Sequence, residues 1–303
     1  MIPDFQTLML PLLELLADKK EHHFQSLISQ ICDKFKLTNE ERKELLRSGS
    51  QEIINNRVAW AKTYLKKTKL IDSPRRATFV ITEQGEKVLM SKPKRIDIQF
   101  LQKFPEFQEW RNSYLFKKDD EISEQIVEVE TGKTPEELLE YSYTKLREEL
   151  ASELLEKIKN CSANFFERLV VDLLIKMGYG GSKKEAGQII GKSGDGGIDG
   201  IIKEDKLGLD TIYVQAKKWV NTVPVGQIRD FAGSLLSKKA KKGIFISTSN
   251  YPKNAYDFVA SIEPKIVLID GKELAELMIE YDVGLAVKTN YEIKKIDSDY
   301  FEE

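Results

Sequence analysis

The chain has 303 residues, 41% of them hydrophobic and 32% charged, with a formal net charge of −2. That apolar content supports real cores and excludes a wholly disordered chain, and the length suggests about two domains. No apolar run approaches the ~20 residues of a membrane-spanning helix. Asp4 and Glu14 interrupt the apolar start and no basic residue precedes it, so a signal peptide is not expected either. Cys32 and Cys161 stand far apart, which leaves neither a disulfide framework nor a thiolate zinc site. The expectation is a cytoplasmic protein with no membrane partner.

Charge is unevenly spread along the chain. Residues 1–96 carry 18 basic and 12 acidic side chains, and within them residues 53–95 carry 11 and 3. Residues 97–160 carry 9 basic and 16 acidic side chains. A basic stretch inside a balanced chain points to a localised polyanion-binding surface.

Leu8, Leu12, Leu15 and Leu16 recur at helical spacing, as do Phe24, Leu27, Ile28 and Ile31. Thr38 opens a third helix, with Glu41 completing a capping box. A fourth segment runs from about Ile53 to Lys67. Ile54, Val58, Ala61 and Leu65 form its apolar stripe, and Asn55, Asn56, Trp60, Thr63, Lys66 and Lys67 lie opposite. Trp60 and Tyr64 fall toward one flank and read as partial core. His22 and His23 open the second helix as surface or capping residues. A turn at Asp72-Ser73-Pro74-Arg75-Arg76 then separates Leu70-Ile71 from the β-branched run Thr78-Phe79-Val80-Ile81-Thr82. Short helices and a hairpin with a basic tip outline a winged helix over residues 1–92. Its last long helix would enter the major groove of DNA and its wing would rest on phosphates. Asn55, Asn56, Arg57, Lys66, Lys67, Arg75 and Arg76 are the expected DNA contacts. A winged helix that binds protein instead is the competing reading.

Residues 93–135 read as an acidic connector. It contains Phe104, Phe107, Trp110, Tyr114 and Phe116, more aromatics than a free linker exposes, so they should pack on their own domains or on a second chain. Thr134-Pro135-Glu136-Glu137 is a helix start, with Thr as cap and Glu completing the box. Helices are expected from Pro135 to about Lys159 and from Ala163 to Met177, the second closed by Gly178. A short strand is expected at Gln188-Ile189-Ile190. Strands at 211–217, 243–247 and 265–269 alternate with helices at 225–237 and 271–280. Residues 136–282 therefore read as an α/β domain with a mixed sheet, followed by a charged tail at 283–303.

The chemical clue is the strand ending Gln215-Ala216-Lys217. Gln215 and Lys217 share one face of it and Ala216 points the other way. A lysine on an apolar strand is costly without a partner. Asp199 lies sixteen residues before Gln215 in the stretch Gly194-Asp195-Gly196-Gly197-Ile198-Asp199-Gly200, and adjacent strands can bring the three together. An acid, an oxygen ligand and a lysine suit phosphodiester hydrolysis assisted by Mg²⁺, which takes oxygen ligands and lowers the pKa of a bound water. Asp195 reads as a turn residue. Gly191-Lys192-Ser193 lacks the spacing of a phosphate-binding loop, because position 186 is Ala186 where a glycine is required, so no nucleoside triphosphate is expected. Lys238, Lys239, Lys241 and Lys242 form a second basic run, either a DNA-backbone contact or a solvated helix end.

These residues resemble a known family. The C-terminal half is similar to the PD-(D/E)xK nuclease superfamily, and within it to the catalytic domain of Mrr-type restriction endonucleases. The likeness rests on Phe165-Phe166-Glu167, Gly178-Tyr179-Gly180-Gly181, the 194–200 loop, Val214-Gln215-Ala216-Lys217-Lys218-Trp219, Gly243-Ile244-Phe245-Ile246-Ser247-Thr248-Ser249 and Leu268-Ile269-Asp270-Gly271. The N-terminal part resembles the Mrr N-terminal domain through Asn56-Arg57-Val58-Ala59-Trp60-Ala61 and the wing. The resemblance implies an N-terminal winged helix, a restriction-endonuclease-like core, and a type IV restriction role on methylated double-stranded DNA. It implies Asp199, Gln215, Lys217 and Glu167 as catalytic residues, with Asp199, Gln215 and Ala216 at the metal. The superfamily usually has Asp or Glu where this chain has Gln215, and Glu167 would supply the missing carboxylate. A DNA-binding regulator whose nuclease fold no longer cuts is one alternative, and a structure-specific repair nuclease is another. Because one set of Asp199, Gln215 and Lys217 cuts one strand, a double-strand break calls for two copies, and a homodimer is expected.

Overall fold

In the computed structural model, residues 1–114, 132–180, 198–204, 210–297 and 300 are described. The chain divides into units 1–145 and 146–303, each built around its own core. Among the described residues no helix is long and apolar enough to cross a membrane.

The N-terminal unit begins with α1 (Phe5–Leu15), whose cap Asp4 accepts hydrogen bonds from the backbone N–H groups of Gln6 and Thr7. A two-residue strand β1 (His22–His23) leads into α2 (Phe24–Lys34). His23 accepts from the Gln25 N–H as the cap of α2, and His22 bonds to Asp18 at 2.8 Å. Helix α3 (Asn39–Lys43) starts at the expected Thr38–Glu41 capping box. Helix α4 (Ile53–Lys67) packs against α1 and buries Ile54, Val58, Ala61 and Leu65, the stripe expected from the spacing. Strands β2 (Ile71–Asp72) and β3 (Thr78–Ile81) form the wing hairpin. Strand β3 also pairs antiparallel with β1, giving the sheet order β1-β3-β2 of a winged helix. Helix α5 (Glu83–Met90) packs on β3 through Gly85, where an added Cβ would lie 2.2 Å from the Leu70 carbonyl oxygen, so only glycine fits.

The stretch read as a connector contributes α6 (Ile98–Leu101) and α7 (Pro105–Tyr114) to this core. Phe107 is fully buried, and its ring and that of Trp110 lie 5.7 and 5.6 Å from the ring of Tyr64. Phe104, Phe107 and Trp110 of this segment therefore pack on their own unit. Phe116 and the side chain of Tyr114 lie outside the described residues.

Helix α8 (Pro135–Asn160) opens at a capping box, in which the Thr134 N–H donates to Glu137 and the Glu137 N–H donates to Thr134. Its end, with α9 (Ala163–Lys176), enters the C-terminal core through Leu154, Ile158, Phe166 and Val170. Strands β4 (Gly200–Lys203) and β5 (Thr211–Lys217) follow, then α10 (Val225–Ser237), β6 (Lys242–Ser247), α11 (Lys253–Ser261), β7 (Lys265–Ile269) and α12 (Gly271–Glu280). The sheet order is β4-β5-β6-β7. The first pair is antiparallel and the other two are parallel, so the sheet is mixed as expected. Ile212, Val214 and Ala216 face one core with Ile244 and Ile246, whereas Phe245 faces the other with Phe231 and Tyr251. Helix α11 had no sequence signal strong enough to be expected. The strand expected at 188–190 lies outside the described residues.

Replacing Phe107 by Ala should cost about 3–5 kcal/mol, the usual range for removing a buried aromatic ring. Thermal unfolding should show the N-terminal unit melting roughly 10 °C lower. An unchanged melting temperature would mean that α7 is not part of this core.

Candidate active site and nucleic-acid interface

The site is assembled by strand pairing. Gly200 stands opposite Val214 in the β4–β5 register, which sets Asp199, just before β4, beside Gln215. The Asp199 N–H donates to the Val214 carbonyl at 2.9 Å, and Asp199 Oδ2 accepts from the Ala216 N–H at 2.8 Å. The carboxylate is therefore aimed by the backbone of the strand that carries Gln215 and Lys217. Gln215 is buried, and its Oε1 has no hydrogen-bond partner among the described residues. Leaving an amide oxygen buried and unpaired costs about 1–3 kcal/mol. Lys217 is half-buried opposite Ser247 of β6. Glu167 lies on α9, half-buried and close enough to feel the charges of Asp199 and Lys217.

Burial pushes the Asp199 carboxyl above its ordinary value, against the opposing pull of the Ala216 N–H and the Lys217 charge. Glu167 is also raised, first by burial and then by the negative charge of Asp199, with Lys217 opposing. Two carboxylates whose pKa values stay raised despite the nearby Lys217 charge, together with a buried amide oxygen that has no partner among the described residues, form a set of hard oxygen donors. That donor set fits a divalent cation of the Mg²⁺ type. Ala216 can offer only its backbone, since its side chain lies in the core.

Two residues that support the site were not foreseen. Thr248 Oγ1 accepts from the Trp219 N–H and donates to the Trp219 carbonyl, both at 3.0 Å, which clamps the chain just beyond Lys217. The Lys218 ammonium donates to the Cys161 carbonyl and ties the same end of β5 to the turn that starts α9. Nothing in the local pattern distinguished Thr248 from an ordinary strand-end threonine. Gly194, Asp195, Gly196, Gly197 and the 191–193 stretch lie outside the described residues. In the second basic run, Lys242 bonds to Glu204 and Asp210, and both raise its ammonium to about 12, so it is already neutralised.

The expected DNA face of α4 divides in two. Asn56 is buried and its Oδ1 accepts from the Thr134 hydroxyl at 2.6 Å. Arg57 donates to the carbonyls of Ile2 and Pro3 and pairs with Glu137 at 2.7 Å. These two residues hold the start of α8 and the N-terminus and are not free to reach a groove, which corrects the expectation for both. Trp60, read as partial core, donates its indole N–H to Glu136. Lys67 is exposed but leans over the Trp110 ring at 5.6 Å. Asn55 is half-buried and donates to Glu52. Lys66, Arg75 and Arg76 are exposed, and Arg75 pairs with Glu21 at 2.5 Å.

Residues 158–278 match the family described as restriction endonuclease, and residues 5–91 match the Mrr N-terminal domain. Along its length the chain is 35% identical over 308 residues to the type IV methyl-directed restriction enzyme EcoKMrr of Escherichia coli K12, covering 99% of each. The chain belongs to the Mrr family of restriction endonucleases. As a member of the Mrr family it is a DNA endonuclease, a hydrolase with a winged-helix domain ahead of its nuclease core. The solved complex of the MspJI restriction endonuclease with a 27-mer oligonucleotide aligns at 19% identity with a TM-score of 0.27. That alignment covers 48% of this chain and about a third of the other, and it is too loose to bear on the Mrr-family site.

Raised carboxyl pKa values carry a stability consequence. The folded state favours the protonated acids, so their contribution is present below the ordinary carboxylate range and is lost as pH rises through the folded values. Without divalent cations, the Asp199→Asn/Glu167→Gln double variant should therefore melt higher than the wild type at about pH 7, and the gap should close toward about pH 4. Mg²⁺ should raise the melting temperature of the wild type and leave the double variant unmoved. A gap of the same size at both pH values would refute the electrostatic account.

Asn56→Ala should destabilise the N-terminal unit by about 1–3 kcal/mol, because it strands the Thr134 hydroxyl in the core. DNA affinity at a temperature where the variant is folded should stay at the wild-type level. A selective change in the sequences bound, with unchanged stability, would return Asn56 to the interface.

Proposed function

We propose that this chain is a Mg²⁺-dependent endonuclease that cuts double-stranded DNA carrying methylated bases, working as a homodimer in the cytoplasm. The observation that carries the reading is the gathering of Asp199, Gln215, Lys217 and Glu167 at one end of β5, with two raised carboxyls and an orphaned amide oxygen. The methylated substrate follows the name of the Escherichia coli relative.

Asp199 and Gln215 would hold the cation, with Glu167 as the second carboxylate and the Ala216 backbone beside them. A bound Mg²⁺ supplies a more acidic water and a counter-charge for the phosphoryl group as it reacts. Lys217 shares a face of β5 with Gln215, so its ammonium can orient the attacking water and meet the negative charge that grows on the phosphate oxygens. The Ala216 N–H keeps Asp199 in place throughout. In the N-terminal unit, Lys66, Lys67, Arg75 and Arg76 would contact phosphates and Asn55 a base edge. An inactive nuclease fold would keep DNA binding but would have no reason to retain two carboxylates in repulsion. A second copy would supply the opposed site that the other strand requires.

The test is cleavage of methylated and unmethylated duplexes with Mg²⁺ or chelator. Methylated DNA should be cut and chelator should stop it. Asp199→Ala and Lys217→Ala should each lower the rate by about 100-fold or more while leaving binding intact. Glu167→Gln should slow cleavage in a way that raised Mg²⁺ partly restores. Cutting of both duplexes alike would favour the repair reading, and binding without cutting would favour the regulator.

A further inference from the structure

With Asn56, Arg57 and Trp60 drawn into intramolecular contacts, α4 still carries Asn55, Ala59, Lys62, Thr63 and Lys66 along one side, half-buried or exposed. Lys62 is set deeper than Lys66 and Lys67 of the same helix. It is half-buried, and its ammonium lies 5.3 Å from the ring centroid of Phe24 and 5.3 Å from that of Phe79. Phe24 opens α2 and Phe79 lies in β3, and the two rings meet edge to face at 6.0 Å. The lysine is thus held at the meeting point of α4, α2 and the wing.

Among the described residues, no carboxylate is paired with this charge. Lys19 pairs with Glu86, Lys34 with Glu14, Arg42 with Asp33 and Arg75 with Glu21. The charge that acts on Lys62 is the positive one of Lys66, one helical turn away, and burial and that repulsion together hold its ammonium below the usual lysine range. Like charges at this spacing weaken a helix. The aromatic rings offset part of the desolvation through cation–π attraction and fix the direction of the side chain. A desolvated, immobilised cation beside a second lysine is a position that a bound anion would complete.

We propose that Lys62, held between Phe24 and Phe79 and acting with Lys66, binds one backbone phosphate of the DNA duplex and so sets how α4 docks. The inference rests on the N-terminal unit being the DNA-binding part. A phosphodiester suits the site because its two free oxygens can be shared by two ammonium groups one helical turn apart. The fixed lysine gives up little freedom on binding.

The experiment measures the affinity of the full chain for a fluorescent duplex in chelator, across about 50 to 200 mM salt. Lys62→Met keeps the apolar stem between the rings, and it should be at least as heat-stable as the wild type. It should bind roughly tenfold more weakly at low salt, and its slope of log affinity against log salt should fall by about one. Lys62→Gln serves as the second variant. Phe24→Leu/Phe79→Leu keeps the charge but frees it, and should weaken binding with the slope unchanged. The exposed Lys43→Met should change neither quantity. Wild-type affinity and slope in both Lys62 variants, with loss in Lys66→Met or the Arg75/Arg76 double variant, would overturn this proposal and leave the DNA reading standing. Wild-type behaviour in all of these variants would remove the DNA reading itself. Weaker binding of Lys62→Met with an unchanged slope would show that Lys62 does not contact a phosphate.

Discussion

The candidate site depends on the antiparallel register of β4 on β5. That pairing brings Asp199 next to Gln215 and lets the Ala216 N–H bond the Asp199 carboxylate, although sixteen residues separate Asp199 from Gln215 along the chain. A slip of one residue would turn Gln215 and Lys217 into the core that now holds Val214 and Ala216, and would strand the acid. The apolar alternation of β5 resists such a slip, because Ile212, Val214 and Ala216 all lie against the same core. The residues that make the sheet stable thereby determine where the candidate site sits.

Several local rules are broken together at this place. A carboxylate is half-buried, a second lies close enough to feel its charge, and a buried amide oxygen has no partner among the described residues. Each is unfavourable on its own, and their coincidence at one strand end marks a site selected for something other than stability. The contacts around it run the other way. Thr248 and Lys218 satisfy and tether the backbone just past Lys217, so the strain sits within a rigid frame. Rigid support of that kind keeps charged groups close when their repulsion would otherwise part them.

In the N-terminal unit, α4 serves two purposes. Asn56, Arg57 and Trp60 hold the N-terminus and the start of α8, while Lys62 and Lys66 remain on the open side. A helical wheel shows one polar face there, because it cannot register partners eighty residues away. Thr134 and Glu137 were legible as a helix cap, but their bonds to Asn56 and Arg57 arise only when α8 packs beside α4.

Local chemistry was enough to determine much of this protein. Apolar spacing located α1, α2, α4 and the strands β5 to β7, and Thr38, Thr134 and Gly178 marked helix ends, because these signals act within a few residues. The Gln215-Ala216-Lys217 strand, with Asp199 before it, singled out the candidate site, since a lysine and an acid on apolar strands need a reason to be there. Only the tertiary structure decided which polar side chains were free. Burial of Asn56, capture of Arg57, pairing of β1 with the wing, the packing of α6 and α7, and the aromatic seat of Lys62 all depend on contacts between residues distant in sequence. The energy of such contacts lies in geometry that no local periodicity encodes.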